Sequence, residues 1–203
     1  MAISQTSGPS NAPVRLLEIA IATSRGRVRH LNEDCYSVIE TEDFVAVSDG
    51  AGGHRHGNKA SRICVDTMED FYFFGVDLPV SQYARWIYPE LGLEARRLLM
   101  AVQLANYRLY SLNVHETGRA ASPKSKMVAA LCALKTIGGE AYIAHVGDVR
   151  AYRWQGDDLI PITSDHLSFQ KSERNGLISY KGFLSRVMGI HATVAIDLSI
   201  VGC

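Results

Sequence analysis

An α+β domain is what this sequence predicts, on three observations. Apolar, β-branched runs near the N-terminus read as strands, two stretches with helical spacing follow, and short strands come last. The late strands are separated by tight, mostly glycine-containing turns, and such turns join antiparallel neighbours, because a parallel return needs a crossover of a dozen or more residues. At 203 residues and 47% hydrophobic, the chain is long and apolar enough for one domain with a real core.

The elements follow in order. Residues 1–14, MAISQTSGPSNAPV, are polar and lack the basic-then-apolar pattern of a signal peptide, so they read as a flexible tail ahead of a domain spanning 15–203. Leu16–Thr23 is apolar with β-branched residues and reads as a strand. Cys35–Thr41 and Phe44–Ser48 read as two more, joined by a turn at Glu42-Asp43. Asn58–Phe74 places Ile63, Val65, Met68 and Phe71/Tyr72 at helical spacing, and Gly75–Pro79 breaks it. Leu93–Val114 is a second helix, with Leu98, Leu99, Val102, Ala105, Leu109 and Leu112 near one face. A polar loop follows at Gly118–Lys126. Met127–Thr136, Ala141–Val146, Arg150–Trp154 and Leu159–Ile162 then read as short strands, separated by turns at Gly138-Gly139, Gly147-Asp148 and Gln155–Asp158.

Bulk properties exclude several classes. Lys+Arg and Asp+Glu are equal at 21 each, which offers no excess of positive charge for nucleic acid or an anionic membrane. No apolar run is long enough to span a bilayer. Cys35, Cys64, Cys132 and Cys203 are scattered without a C-x-x-C pair, so a zinc or disulfide framework is not expected and a reducing cytoplasm fits.

The chemistry-bearing residues sit at strand ends. Val47–Gly53 reads V-S-D-G-A-G-G, a strand running into an aspartate and a glycine-rich turn. Asp49 with the carbonyl of Gly50 is a hard oxygen ligand set suited to Mg²⁺ or Mn²⁺, although a plain Asp-Gly turn has the same sequence. Asn32-Glu33-Asp34 adds acids before the next strand, readable also as a solvated turn. Arg29 brings a guanidinium able to grip a phosphate with two parallel bonds, or is a surface arginine in the basic stretch Arg25–His30. Gly147-Asp148 marks a turn between strands, and Asp165-His166 follows a strand. The glycine-rich stretch Gly50–Gly57 is not a nucleotide loop. Gly57 is followed by Asn58-Lys59 rather than Lys-Ser/Thr, and Arg55 occupies the third glycine position of G-x-G-x-x-G. His54 and His56 lack a second ligand pair for zinc.

Taken together, these motifs resemble the metal-dependent, type 2C family of Ser/Thr protein phosphatases (PPM), especially its short bacterial members. Arg29-x-x-Asn32-Glu33-Asp34 resembles R-x-x-N-x-D, and Val47–His54 resembles V-x-D-G-M-G-G-H. His145–Arg150 is similar to the motif ending G-D-S-R, Thr163–His166 to T-x-D-H, and Leu184–Gly189 to L-T-R-A-L-G. The resemblance implies a four-layer sandwich of two antiparallel β-sheets flanked by α-helices. It implies Mn²⁺ or Mg²⁺, two ions in a complete centre, with Asp49 bridging both, Gly50 giving its carbonyl, Asp34 on the second ion and Asp148 at a weaker third position. Arg29 would hold the phosphate and His54 would donate a proton or touch substrate. The implied reaction is attack of a metal-bridging water on phosphoserine or phosphothreonine of a protein, the target of a Ser/Thr kinase.

Two departures from the pattern stand out. Pro123-Lys124-Ser125-Lys126 replaces the family's M-G-T-T, and nothing matches its late S-D-G and D-N aspartates, so the fold is expected to be C-terminally incomplete. Asp197, within the strand-like run Ala195–Val201, reads as an outward-facing strand residue. Uncovered sheet edges are then expected to drive self-association. The alternative to an enzyme is a catalytically impaired phosphatase-like domain that binds phosphoproteins or regulates.

Overall fold

The computed structural model describes residues 18–51, 56–74, 89–122, 125–174 and 177–202. The expected tail at 1–14, the break at Gly75–Pro79 and the residue His54 lie outside the described residues. In chain order the elements are β1 (Asp34–Ile39), a 3₁₀ turn (Glu40–Glu42), β2 (Phe44–Ala51), α1 (Gly57–Phe73), α2 (Leu93–Thr117), β3 (Val128–Ile137) and β4 (Glu140–Val146). They continue with β5 (Tyr152–Gln155), β6 (Asp158–Pro161), β7 (Leu167–Arg174), β8 (Leu177–Leu184) and β9 (Asp197–Gly202). Five strands form one sheet in the order β1-β2-β3-β4-β9, and β5-β6 and β7-β8 form separate two-stranded sheets. Every pairing is antiparallel. The α+β class and the antiparallel sheets are as the sequence predicts.

Strand alternation assigns one face of the large sheet to the core. Cys35, Ser37 and Ile39 on β1, Phe44, Ala46 and Ser48 on β2, and Ala129, Leu131 and Ala133 on β3 are buried together. Alpha helices cover that face. Helix α1 offers Ala60, Cys64, Met68, Phe71 and Tyr72, spaced at three, four or seven, and α2 offers Leu98, Leu99, Val102, Ala105 and Leu109. Each fully buried Leu or Met contributes roughly 1.5–3 kcal/mol by leaving water. On the opposite face Tyr36 and Val47 are exposed. Of the expected sandwich, the described residues thus show a helical layer on a five-stranded sheet, with two further antiparallel pairs.

Polar side chains fasten the layers at two places. Lys135 is buried on β3, where its ammonium meets the Glu42 carboxylate at 2.7 Å, the Glu42 carbonyl at 2.9 Å and Glu94 of α2 at 3.5 Å, and lies over the Tyr72 ring. At the other end, three amide side chains on α2 hold the segment after β8. The Asn113 amide donates to the carbonyls of Met127 (2.7 Å) and Gly189 (2.9 Å) and accepts from the Met127 N–H (2.9 Å). Asn106 accepts from Gly189 N–H and donates to the His191 carbonyl, and Gln103 exchanges bonds with Val194. Gly189 sits at φ +92°, where a Cβ would come within 2.7 Å of Leu109 Cγ, so only glycine fits.

Four sequence expectations need correction. Of the expected strand Leu16–Thr23, residues 18–23 are described and are not strand: among the described residues they join no sheet, and β1 is the edge of the five-stranded one. A β-branched run forms a strand only where a partner takes its N–H and C=O groups. Second, β2 does not end before Asp49 but runs through Asp49 and Gly50 to Ala51. Third, Gly147-Asp148 is no hairpin turn, because β4 pairs with β3 and β9 while β5 pairs with β6. Finally, β7 and β8 escaped prediction although Asn175-Gly176 between them is a strong hairpin signal.

Asn113→Ala removes three bonds to buried backbone groups. It is expected to destabilise the fold by about 3 kcal/mol in urea unfolding, since each group left unpaired costs about 1–3 kcal/mol. A loss below about 0.5 kcal/mol, the range of an inert surface substitution, would show that the lashing of α2 to this segment is dispensable.

Candidate metal centre

The site begins with sheet register. Asp34 opens β1 and lies directly opposite Asp49 of β2, with Cys35 opposite Ser48 beside it. Cys35 and Ser48 point into the core, so alternation sends Asp34 and Asp49 to the exposed face. Directly paired residues on antiparallel strands have Cβ atoms about 4.5–5.5 Å apart, so the two carboxylates are neighbours. The chain enters β1 through an Asx-type turn in which the Asn32 side-chain oxygen accepts the Asp34 N–H at 3.2 Å. The Asn32 amide donates to Thr23 at 2.7 Å.

Behind this pair stands the first turn of α1. Gly50 N–H donates to the Glu33 carbonyl at 3.1 Å, and Ser61 Oγ donates to the same carbonyl at 2.5 Å. Gly50 and Gly57 pack backbone to backbone. A Cβ on Gly57 would sit 2.5 Å from the Gly50 oxygen and overlap the Glu33 carboxylate, and a Cβ on Gly50 would overlap the Gly57 carbonyl. Glycine at both positions is a packing requirement, and it brings the positive N-terminal end of α1 close to the acids.

Asp148 joins them from the end of β4. The Asp49 carboxyl is held above the ordinary carboxylate value, first by burial and then by the negative charges of Asp34, Asp148 and Glu33; Arg29 pulls the other way. The structure therefore brings together Arg29, Asp34, Asp49, Gly50 and Asp148, which the sequence scatters over 120 positions from 29 to 148. Arg29 is exposed and its guanidinium meets Glu33 at 3.2 Å. That single contact is weak in water, about 0–1 kcal/mol, so a phosphate dianion can displace it.

The donor set fits a hard divalent cation. Carboxylates crowded beyond what the Arg29 charge offsets, with a carbonyl oxygen adjacent, are the chemistry of Mg²⁺ or Mn²⁺, and Mg²⁺ is held by one or two carboxylates while keeping several waters. Among the described residues no group of three or more His, Cys, Asp or Glu side chains is arranged to hold a metal by itself.

Sequence reasoning missed a second polar cluster beside Asp148. Arg150 grips Asp165 with two bonds of 2.7 and 2.6 Å, which hold the Asp165 carboxyl below the usual range. Asp197 is outward-facing on its strand, as its alternation pattern predicts, but it is bonded there. It receives a bond from His166 at 3.0 Å and another from Arg186, and both lower its pKa. The signal was present in Asp165-His166 and Arg186, but only the β4–β9 pairing, which sets Asp197 opposite His145, brings them to one place. In the Pro123–Lys126 loop, Pro123 and Lys124 lie outside the described residues and Lys126 is buried.

Comparison with known proteins places this geometry. The profile of the family described as Protein phosphatase 2C matches residues 23–172. The serine/threonine phosphatase stp of Listeria welshimeri is 30% identical over 191 residues, covering 88% of this chain and 69% of its own length. Protein phosphatase PhpP of Streptococcus pneumoniae is 28% identical over 153 residues, 74% of this chain and 55% of PhpP. Among solved structures, the Mycobacterium tuberculosis serine/threonine phosphatase PstP/Ppp matches with a TM-score of 0.62 at 21% identity, covering 88% of this chain and 70% of that one. A structure of the PstP catalytic domain in complex with two manganese ions has a TM-score of 0.62 at 20% identity and covers 88% of this chain and 69% of its own. The solved structures agree in fold, and the profile spans Arg29, Asp34, Asp49, Gly50 and Asp148. The chain therefore belongs to the protein phosphatase 2C family.

Proposed function

We propose that this protein removes phosphate from phosphoserine and phosphothreonine side chains of proteins, in a reaction that depends on Mn²⁺ or Mg²⁺. The observation that supports it most is the crowding of Asp34, Asp49 and Asp148, which leaves Asp49 with a raised pKa at the open end of the sheet. Stable carboxylates in such company need a cation. Relatives named as serine/threonine phosphatases favour the enzyme over a phosphoprotein-binding domain without activity.

In this reading Asp49, Asp34 and the Gly50 carbonyl hold the ions, and Asp148 serves a third, weaker position. Bound divalent cations supply charge neutralisation for the phosphoryl group and lower the pKa of water. Arg29 leaves Glu33 and binds two phosphate oxygens, which orients the phosphomonoester for in-line displacement. His54 donates a proton or contacts the substrate. The substrates are products of a Ser/Thr kinase and the setting is the cytoplasm. No helix among the described residues is long and apolar enough to cross a membrane. The exposed Tyr36 and Val47 and the two sheet edges, β1 and β9, favour self-association.

Hydrolysis of an aryl phosphate and of a phosphothreonine peptide is expected to require added Mn²⁺ or Mg²⁺ and to stop with EDTA. Turnover that survives chelation would overturn the reading. Asp49→Ala is expected to reduce kcat at least 100-fold, the scale of losing a group that stabilises transition-state charge.

Arg29→Ala is expected to raise KM several-fold while leaving Mn²⁺ affinity near that of the parent, because it removes a substrate contact. Calorimetric Mn²⁺ titration beside steady-state kinetics checks the split; loss of Mn²⁺ affinity instead would move Arg29 out of the phosphate role.

Asp49→Asn is expected to raise the Tm of the metal-free protein at pH 7. The folded-state pKa of Asp49 lies above its unfolded value, so ionisation opposes folding. That penalty develops as pH rises from the unfolded value, about 3.9, is complete above the raised folded value, and is absent well below both, where the carboxyl is protonated in either state. The Tm gain should therefore vanish in acid. An equal gain at all pH values would assign the effect to packing rather than charge.

A further inference from the structure

The segment that carries Asp148 leaves the large sheet and needs something other than a strand partner to hold it. Gly147 is buried at φ +104° and packs flat on β3: a Cβ there would lie 2.9 Å from the Ala130 Cα. Ala130 is the cross-strand partner of Asp49, so this contact sets the Asp148 turn beside Asp49. From the other side, a single residue brackets Gly147 with two bonds. The His166 backbone N–H donates to the Gly147 carbonyl at 2.8 Å, and the Gly147 N–H donates to His166 Nδ1 at 2.9 Å.

The second bond dictates which ring nitrogen carries the proton. Nδ1 can accept an N–H only when it is bare, so the proton of neutral His166 is on Nε2. There it donates to Asp197 Oδ2 at 3.0 Å, while the other oxygen of Asp197 accepts from Arg186. Arg186 Nη1 also stands 3.1 Å from His166 Nε2. Arginine is always a donor, so without Asp197 it would favour a bare Nε2 and a proton on Nδ1, turning an N–H against the Gly147 N–H. Asp197 takes up both donors and selects the other tautomer. The His145 ring covers His166, with centroids 4.7 Å apart, and the Ser185 N–H fixes the His166 carbonyl at 2.8 Å.

We propose that His166, with its tautomer set by Asp197, is a positioning residue for the metal-binding turn: its Nδ1 holds the Gly147 N–H and so keeps Asp148 facing the Asp49 cluster. This rests on the metal-dependent phosphatase reading above. Partners that orient metal ligands typically change affinity by about 10–100-fold when lost.

Two measurements test it. Long-range ¹H–¹⁵N spectra of the metal-free full chain should show His166 with an unprotonated Nδ1 and a protonated Nε2; the opposite tautomer overturns the proposal without any variant. Calorimetric Mn²⁺ titration then compares substitutions. An asparagine oxygen falls near Nδ1, and a glutamine amide near Nε2. His166→Gln should weaken the Mn²⁺ binding that Asp148→Ala weakens, by about ten-fold, and His166→Asn should restore it to within a few-fold. If Asp148→Ala weakens Mn²⁺ binding and His166→Gln does not, the positioning role falls while the phosphatase reading stands. If neither Asp49→Ala nor Asp148→Ala changes Mn²⁺ binding, the metal-centre reading falls and takes this proposal with it.

Discussion

Like charges crowded at one end of an antiparallel sheet are the constraint around which this molecule is built. Register puts Asp34 against Asp49, and the turn after β4 adds Asp148. Left to themselves these carboxylates repel one another and gain by moving apart or by taking up protons. They stay together because the backbone beneath them has nowhere to go. Gly50 is locked against Gly57, the Glu33 carbonyl takes bonds from Gly50 and Ser61, and Gly147 lies flat on Ala130. The rigidity of the surroundings holds an arrangement that becomes favourable only when a cation arrives.

The rest of the fold supplies that rigidity at some distance from the acids. Two helices cover one face of the sheet, and their apolar stripes fill the core through Phe44, Met68, Leu98, Leu99 and Leu131. Buried polar groups then fix the register of the layers. Lys135 with Glu42 and Glu94 clamps the end remote from the acids, while Asn106 and Asn113 fasten the Met188–His191 stretch to α2. An apolar contact tolerates sliding. An amide satisfied by three specific backbone groups does not, because any shift leaves a buried group unpaired. The placement of Arg186 and Asp197, on either side of that stretch, follows from this lashing.

Much of the candidate site was legible because its residues lie in short local motifs. Arg29, Asp34, Asp49, Gly50 and Asp148 stand in runs of a few residues whose order along the chain resembles one family, and the family profile covers them all. The helices were legible for a similar reason: their periodicity is written within the segment, and Gly57–Phe73 and Leu93–Thr117 fall within three residues of the spacing that predicts them. What escaped was anything that depends on a distant partner. Leu16–Thr23 has strand composition, but among the described residues no strand pairs with 18–23. Asp197 is the solvent-facing strand residue that the alternation predicts, but only the pairing of β9 with β4 sets it next to His166 and Arg186.

By itself, then, the sequence determined the local chemistry: which residues can ligate a cation or grip a phosphate, which segments coil, and where glycine permits a close approach. The tertiary structure alone decided the pairings: that Asp34 faces Asp49, that β4 crosses to a separate hairpin and leaves Asp148 beside them, and that Asp197 sets the tautomer of His166. The reason is physical. Helical spacing and turn chemistry act over a few residues, whereas register and hydrogen-bond partnership are fixed by the packing of elements far apart in the chain, such as Glu42 and Lys135, 93 positions apart.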